Sequence, residues 1–441
     1  MIGSADYRTV RRLLAGIALL LVGVVAHAGP VIHHWETANG ARVYFIEARG
    51  LPIVDARVVF AAGSARDGDR PGTAFLTATL LDMGAGEWDA DAIAERIDRV
   101  GSNTSISVGM DRATIGLRSL SEPGPLQTTV STVAAMITRP TFPADKLELE
   151  RNQVLVSLRY RKQDPGKVAD DAFYAALYGD HPYAHPTQGD EATVRSLTRE
   201  ELLAFYRRLY VARNAVVAIV GDLDEGAAHQ IAERLVGDLP AGEPAPPLPA
   251  PAPLTEAREI RIAHPSTQTH ILIGQPGMRR GDPDYFALYL GNHALGGSGL
   301  VSVLAEEIRE KRGLAYSVYS YFSPQAVEGP FEAGMQTRND QAEEALRLMR
   351  RTLSHFVDEG ITAEQFEASK TNVTGGFALR IDSNSKLVGY LAMIGFYGLP
   401  LDYLDTFSQR IESLSLDQVR DAMRRRLHPE RMVTVIVGGG Q

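Results

Sequence analysis

Apolar residues recur along this chain at two spacings. Leu126, Val130, Val133, Ala134 and Ile137 fall on one face of a 3.6-residue repeat, and Asp89 to Val100 reads as a second helix stopped by Gly101. Strand-like runs occupy Val54 to Ala61, Ser105 to Val108 and His270 to Ile273. Helices and strands are interspersed throughout, which predicts an α/β (α+β) fold with helices packed on sheets.

One pattern occurs twice. Ser196-Leu197-Thr198 opens an amphipathic helix that passes through Arg207-Arg208 into the strand Val216 to Val220 and closes at Gly221. Shifted by 217 positions, the same order returns as Ser413-Leu414-Ser415, Arg424-Arg425, Val433 to Val437 and Gly438. A hydroxyl at a helix start, a helix, and a β-branched strand ended by glycine form one supersecondary unit, so the chain is a duplicated domain. The seven prolines between Pro240 and Pro253 favour an extended, semi-rigid connection. The expected organisation is therefore a segment 1–28, a first lobe 29–239, a linker 240–254 and a second lobe 255–441.

Composition narrows the function. Arg8, Arg11 and Arg12 precede an apolar run from Leu13 to Ala26, and Ala26-His27-Ala28 has the small residues of a cleavage site, so residues 1–28 read as a secretory signal. Export across a membrane follows, with no stable membrane insertion after cleavage. Removing three Arg and one Asp lowers the net charge from -9 to -11, a poor match for nucleic acid. The chain has no cysteine, which excludes thiol chemistry and disulfides.

Local motifs suggest little catalysis. Prolines in His181-Pro182-Tyr183-Ala184-His185-Pro186 prevent a two-ligand helix, and His33-His34 has no acidic third ligand nearby. Gly297-Ser298-Gly299 departs from a nucleophile elbow at Leu300 and reads as a turn. In Leu295 to Ser320, Leu300, Leu304 and Ile308 are expected on the buried side of a helix that Gly313 ends, with a strand resuming from Tyr316; Arg309 and Tyr316 then converge at the helix-to-strand turn.

Two segments carry a resemblance. Phe60-Ala61-Ala62-Gly63-Ser64, a loop with Gly72, and the helix of Thr73 to Leu81 are similar to the opening of the zinc-binding lobe of the pitrilysin (insulinase-like) peptidases. In active members that helix carries H-x-x-E-H. The resemblance places Phe75 and Thr79 at the ligand positions and Ala78 at that of the base, with the third ligand falling near Val156 and Ser157. None of these side chains suits zinc. The stretch around Arg309 and Tyr316 resembles the family's second-lobe motif, in which the arginine holds substrate backbone and the tyrosine donates to the developing oxyanion. Asp164-Pro165, the His-Pro-Tyr loop, Gly375-Gly376 and Tyr397 to Tyr403 extend the resemblance over nearly the whole mature chain.

The resemblance implies two homologous lobes, each a mostly antiparallel sheet packed with helices, forming half of a clamshell. It also implies a division of labour. This chain would be the non-catalytic, substrate-binding subunit of a periplasmic heterodimeric zinc metallopeptidase acting on peptides or unfolded segments. It would hold no cofactor, with zinc in the homologous partner, and would show no peptidase activity alone. Two rival readings stand beside it: a non-hydrolytic peptide binder or scaffold, against which the retention of Arg309 and Tyr316 speaks, and a self-sufficient hydrolase with a relocated site.

Overall fold

The computed structural model describes residues 29–440. The expected signal, residues 1–28, lies outside them. In the first half, β1 (His33–Glu36), β2 (Arg42–Glu47), β3 (Ile53–Phe60), β4 (Asn103–Val108), β5 (Ala113–Leu120) and β6 (Ala215–Gly221) form one sheet in the order β1-β2-β6-β3-β5-β4. In the second half, β7 (Arg258–Ile262), β8 (Gln268–Met278), β9 (Ser317–Phe322), β10 (Gly329–Arg338) and β11 (Val433–Val437) form another, in the order β9-β10-β8-β11-β7. Read from β4, the first sheet repeats the second strand for strand and adds β1 at its end. Each sheet is antiparallel except for one parallel pair, Arg42 beside Val216 in the first and Arg258 beside Val433 in the second.

The helices follow the same duplication. The first half has α1 (Thr73–Thr79), α2 (Ala90–Asp98), α3 (Pro123–Thr138), α4 (Ala144–Gln163), α5 (Pro165–Tyr178), α6 (Arg199–Leu209) and α7 (Glu225–Val236). The second has α8 (Tyr285–Asn292), α9 (Ala342–Glu359), α10 (Ala363–Gly375), α11 (Asn384–Tyr397) and α12 (Leu416–Arg426). The repeat seen in the sequence is α6-β6 and α12-β11, and its local chemistry repeats as well. Thr198 and Glu201 form a capping box at the start of α6, and Ser415 and Gln418 form one at the start of α12. In each, a hydroxyl and a longer polar side chain satisfy backbone N–H groups that the first turn leaves unpaired. Residues 240–254 run without regular secondary structure.

The central strands of each sheet are buried on both faces, but the two halves exchange one cover. In β6, Val217 and Ile219 join Val130, Val133 and Ile137 of α3 and Ala232 and Leu235 of α7 in the core of the first half. Val216, Ala218 and Val220 point the other way, with Tyr44, Ile46 and Val59, into a core shared with Val388, Leu391, Ala392 and Ile394 of α11. Reciprocally, Ala169, Phe173, Ala176 and Leu177 of α5 pack with Leu272, Val433, Val435 and Val437 of the second sheet. This double burial explains why β6 reads as an unbroken apolar run instead of an alternating one. The approach of α11 is close: a Cβ on Gly395 would lie 2.6 Å from the Tyr44 ring and 2.7 Å from Val216. Among the described residues no helix is long and apolar enough to cross a membrane.

Candidate functional site

The first candidate region is α1. Its entry is shaped by Gly72, whose φ of 96° is a conformation that glycine adopts without strain. The buried Asp67 carboxylate accepts hydrogen bonds from Gly72 N and Ala74 N, both at 2.7 Å, and so caps the helix start. Burial pushes the Asp67 carboxyl up to about 7 in spite of these donors.

The three positions singled out on α1 serve packing. Phe75 is half-buried against the first-half core, Ala78 is fully buried, and Thr79 donates its hydroxyl to Leu76 O at 3.2 Å. On α4, Val156 is exposed and Ser157 donates to the Gln188 side chain. Two carboxylates do lie nearby, Asp82 and Glu150, and burial raises the pKa of both; the Asp82 charge raises Glu150 further. Sequence reasoning missed this pair, because nothing in the spacing of residues 82 and 150 marks them as neighbours. No His joins them, and among the described residues no three His, Asp or Glu side chains gather as a metal site requires. The residues here do not fit zinc.

The second candidate region is the segment leading into β9. It departs from a regular helix: wide turns span His293–Gly297 and Ala305–Glu310, with a tight turn at Gly299–Val301 between them. Such widened turns recur at functional sites. The expectation for Leu300 is overturned, since its side chain is exposed while Leu304 and Ile308 are buried. The 3.6-residue spacing fails there because the tight turn and the extended Ser302 interrupt the helix. Gly296 and Asn292 have a structural task. A Cβ on Gly296 would lie 2.3 Å from Ser320 N, and the Asn292 side chain bonds Ser320 through both its amide nitrogen and its oxygen.

Gly313, at φ 62°, ends this segment and turns the chain into β9. Its N–H donates to Arg309 O at 2.8 Å, and Leu314 N donates to Ile308 O at 3.0 Å. The turn brings Arg309 and Tyr316 together, with the guanidinium carbon 5.0 Å from the centre of the phenol ring. Arg309 also pairs with Glu310 at 3.2 Å. Tyr316 is 81% exposed. A cation over the ring face of an exposed phenol contributes about 0.5 to 1 kcal/mol towards this arrangement and leaves the hydroxyl open to a ligand.

The histidines have local partners. Within the His-Pro-Tyr loop, His181 bonds Pro249 O and accepts from Tyr183 N, while Tyr183 is fully buried and donates to Asp111. His34 bonds Val43 O, and burial lowers the His185 pKa.

Comparison with known proteins places these features. Residues 42–191 match the family described as insulinase (peptidase family M16), and residues 196–373 match the peptidase M16 inactive domain. An uncharacterized zinc protease of Streptomyces coelicolor is 30% identical over 363 residues, covering 81% of this chain and 78% of that protein. The non-peptidase homolog YmxG of Helicobacter pylori is 24% identical over 412 residues, covering 92% and 94%. The crystal structure of a peptidase M16 inactive domain from Pseudomonas fluorescens superposes with a TM-score of 0.90 at 39% identity, covering 93% of this chain and 98% of that one.

Proposed function

The chain belongs to peptidase family M16, as a non-catalytic member, and from that premise we propose that it is the substrate-binding subunit of a periplasmic heterodimeric zinc peptidase. One observation carries the reading. The lobe that would hold zinc has Phe75, Ala78 and Thr79 where donors are needed, while the other lobe presents Arg309 stacked on an exposed Tyr316. A pair so arranged is open to a reacting group brought to it from outside the chain.

In this reading a homologous chain supplies the metal and the general base. Arg309 orients the peptide through its backbone carbonyls, and the Tyr316 hydroxyl donates to the carbonyl oxygen as negative charge develops there. The edge strand β4 supports peptide binding. It ends the first sheet with one side unpaired and lies beside α1, so an extended segment can add to it by main-chain hydrogen bonds.

The test is co-expression with a homologous chain carrying intact H-x-x-E-H, followed by assays of complex formation and peptide cleavage. Tyr316→Phe is expected to lower turnover about 10- to 100-fold, or about 1.4 to 2.7 kcal/mol of barrier, while the complex still assembles. Unchanged turnover would remove Tyr316 from the reaction.

A further inference from the structure

Cations from separate segments converge where the two halves meet. Arg112 leaves the β4–β5 turn, Arg280 follows β8, and Arg380 and Lys386 flank the start of α11. With Tyr390 and Tyr397 they line a cleft of about 610 Å³. The guanidinium carbons of Arg112 and Arg280 lie 5.7 Å and 5.9 Å from the Tyr397 ring centre, and that of Arg380 lies 5.6 Å from Tyr289. Arg57, in the middle of β3, adds a fifth cation; its Nη1 is 3.4 Å from where a Cβ on Gly389 of α11 would be.

These charges have little compensation. Among the described residues Asp111 is the only carboxylate in the cleft wall, and it already accepts from the Tyr183 hydroxyl, the Tyr397 hydroxyl and Ala326 N. Asp55, two residues from Arg57, is held by Arg118 through two hydrogen bonds. Lys386 pairs with Asp382 at 2.8 Å. Arg112 and Arg280 each keep a buried guanidinium nitrogen with no hydrogen-bond partner among the described residues. Burial and the Arg112 charge both push Arg57 below the usual guanidinium value. A chain of net charge -9 thus concentrates like charges at one place, an arrangement that costs energy unless an anion occupies it.

A second groove says which anion. It is lined by Arg57, by Asn103 to Ser105 of the edge strand β4, and by Ser385, which it shares with the cleft. A peptide laid along β4 therefore leads into the cations. We propose that the cleft binds carboxylates of a peptide, acidic side chains or the C-terminus, and so selects acidic segments. The proposal rests on the substrate-holding role above and specifies what is held. Guanidinium groups suit it because their planar fork meets a carboxylate through two parallel hydrogen bonds. Phosphate shares that chemistry, so the test separates the two sources.

The experiment measures fluorescence anisotropy of the full chain with a labelled peptide rich in Glu, its Gln-for-Glu counterpart, and tripolyphosphate as competitor. The Glu peptide is expected to bind about tenfold tighter than the Gln peptide at low salt, and the preference is expected to vanish at high salt. Arg112→Gln with Arg280→Gln is expected to collapse the ratio of the two dissociation constants towards one. Should that double variant fail to fold, Arg380→Gln with Lys386→Gln at the exposed rim reads the same ratio, and the wild-type salt dependence stands independently. Equal binding of the two peptides overturns the cleft assignment and leaves the holding role intact, whereas binding of neither overturns both. Tripolyphosphate is expected to displace the Glu peptide; calorimetric binding of tripolyphosphate together with equal binding of the two peptides makes the cleft a site for small free anions and overturns the peptide assignment.

Discussion

The exchange of α5 and α11 makes a quantitative statement about what happens if the chain is cut at its linker. Residues 29–239 produced alone would keep the whole first sheet but lose α11. Tyr44, Ile46, Val59, Val216 and Val220 are each at most 6% exposed in the intact chain, and all five share their core with the second half. Exposing side chains of this size costs about 1.5 to 3 kcal/mol apiece, so the five together cost about 8 to 15 kcal/mol. That equals the whole net stability of a typical domain, about 5 to 15 kcal/mol. In the same fragment α5 loses the sheet that covers Phe173, which is fully buried in the intact chain. The fragment is therefore expected to aggregate or to behave as a loosely packed state that binds hydrophobic dye and loses near-ultraviolet circular dichroism. The intact chain is expected to unfold in urea as one transition, and mixing the two fragments during refolding is expected to restore it. A monomeric 29–239 fragment with a sharp urea transition, within about 2 kcal/mol of the intact chain's stability, would refute the reasoning.

Two further expectations concern buried carboxyl groups. Because burial lifts Asp67 to about 7, the folded state holds a proton that the unfolded chain gives up near pH 4. This contribution to stability is complete below about pH 4, declines as pH rises to about 7 and is flat above, and Asp67→Asn should remove that slope from urea midpoints measured across the range. Asp111→Ala would leave the Tyr183 hydroxyl and Ala326 N without their acceptor and the Tyr397 hydroxyl with Gln325 Oε1 alone, at 3.3 Å. With two donors orphaned, the expected loss is about 2 to 6 kcal/mol, read by urea unfolding, with a loss under about 1 kcal/mol showing that the hub is dispensable.

What the sequence disclosed and what it hid have different physical origins. Local devices were legible because they need only nearby residues: the apolar face of α3, the capping hydroxyls Thr198 and Ser415, and the β-branched strands β6 and β11. The unsuitability of Phe75, Ala78 and Thr79 as zinc donors was legible too, since it depends on side-chain chemistry alone. The approach of Arg309 to Tyr316 followed from a turn of a few residues. Leu300 was misplaced because the periodicity argument assumes a regular helix, and this segment mixes tight and wide turns. The helix exchange could not be read at all. An amphipathic pattern on α5 or α11 says that a face is buried and is silent on which sheet buries it. The cleft was invisible for the same reason, since Arg112, Arg280 and Arg380 lie far apart in sequence.

The helix that joins the halves also bears on how a ligand is felt. On α11, Val388, Leu391, Ala392 and Ile394 face the shared core, while Lys386, Tyr390 and Tyr397 face the cationic cleft. Tyr397 further ties this helix to Asp111 on the first half's β4–β5 turn. A carboxylate that neutralises Arg112 and Arg280 relieves repulsion at the place where α11 crosses from one half to the other. Such a ligand stabilises the native chain by an amount that grows with the logarithm of its concentration above the dissociation constant. Because the two sheets share one core through α11, that stabilisation cannot be confined to either half. The lobe that presents Arg309 and Tyr316 and the lobe whose edge strand would seat a peptide are thus held in register by the same contacts that the ligand strengthens.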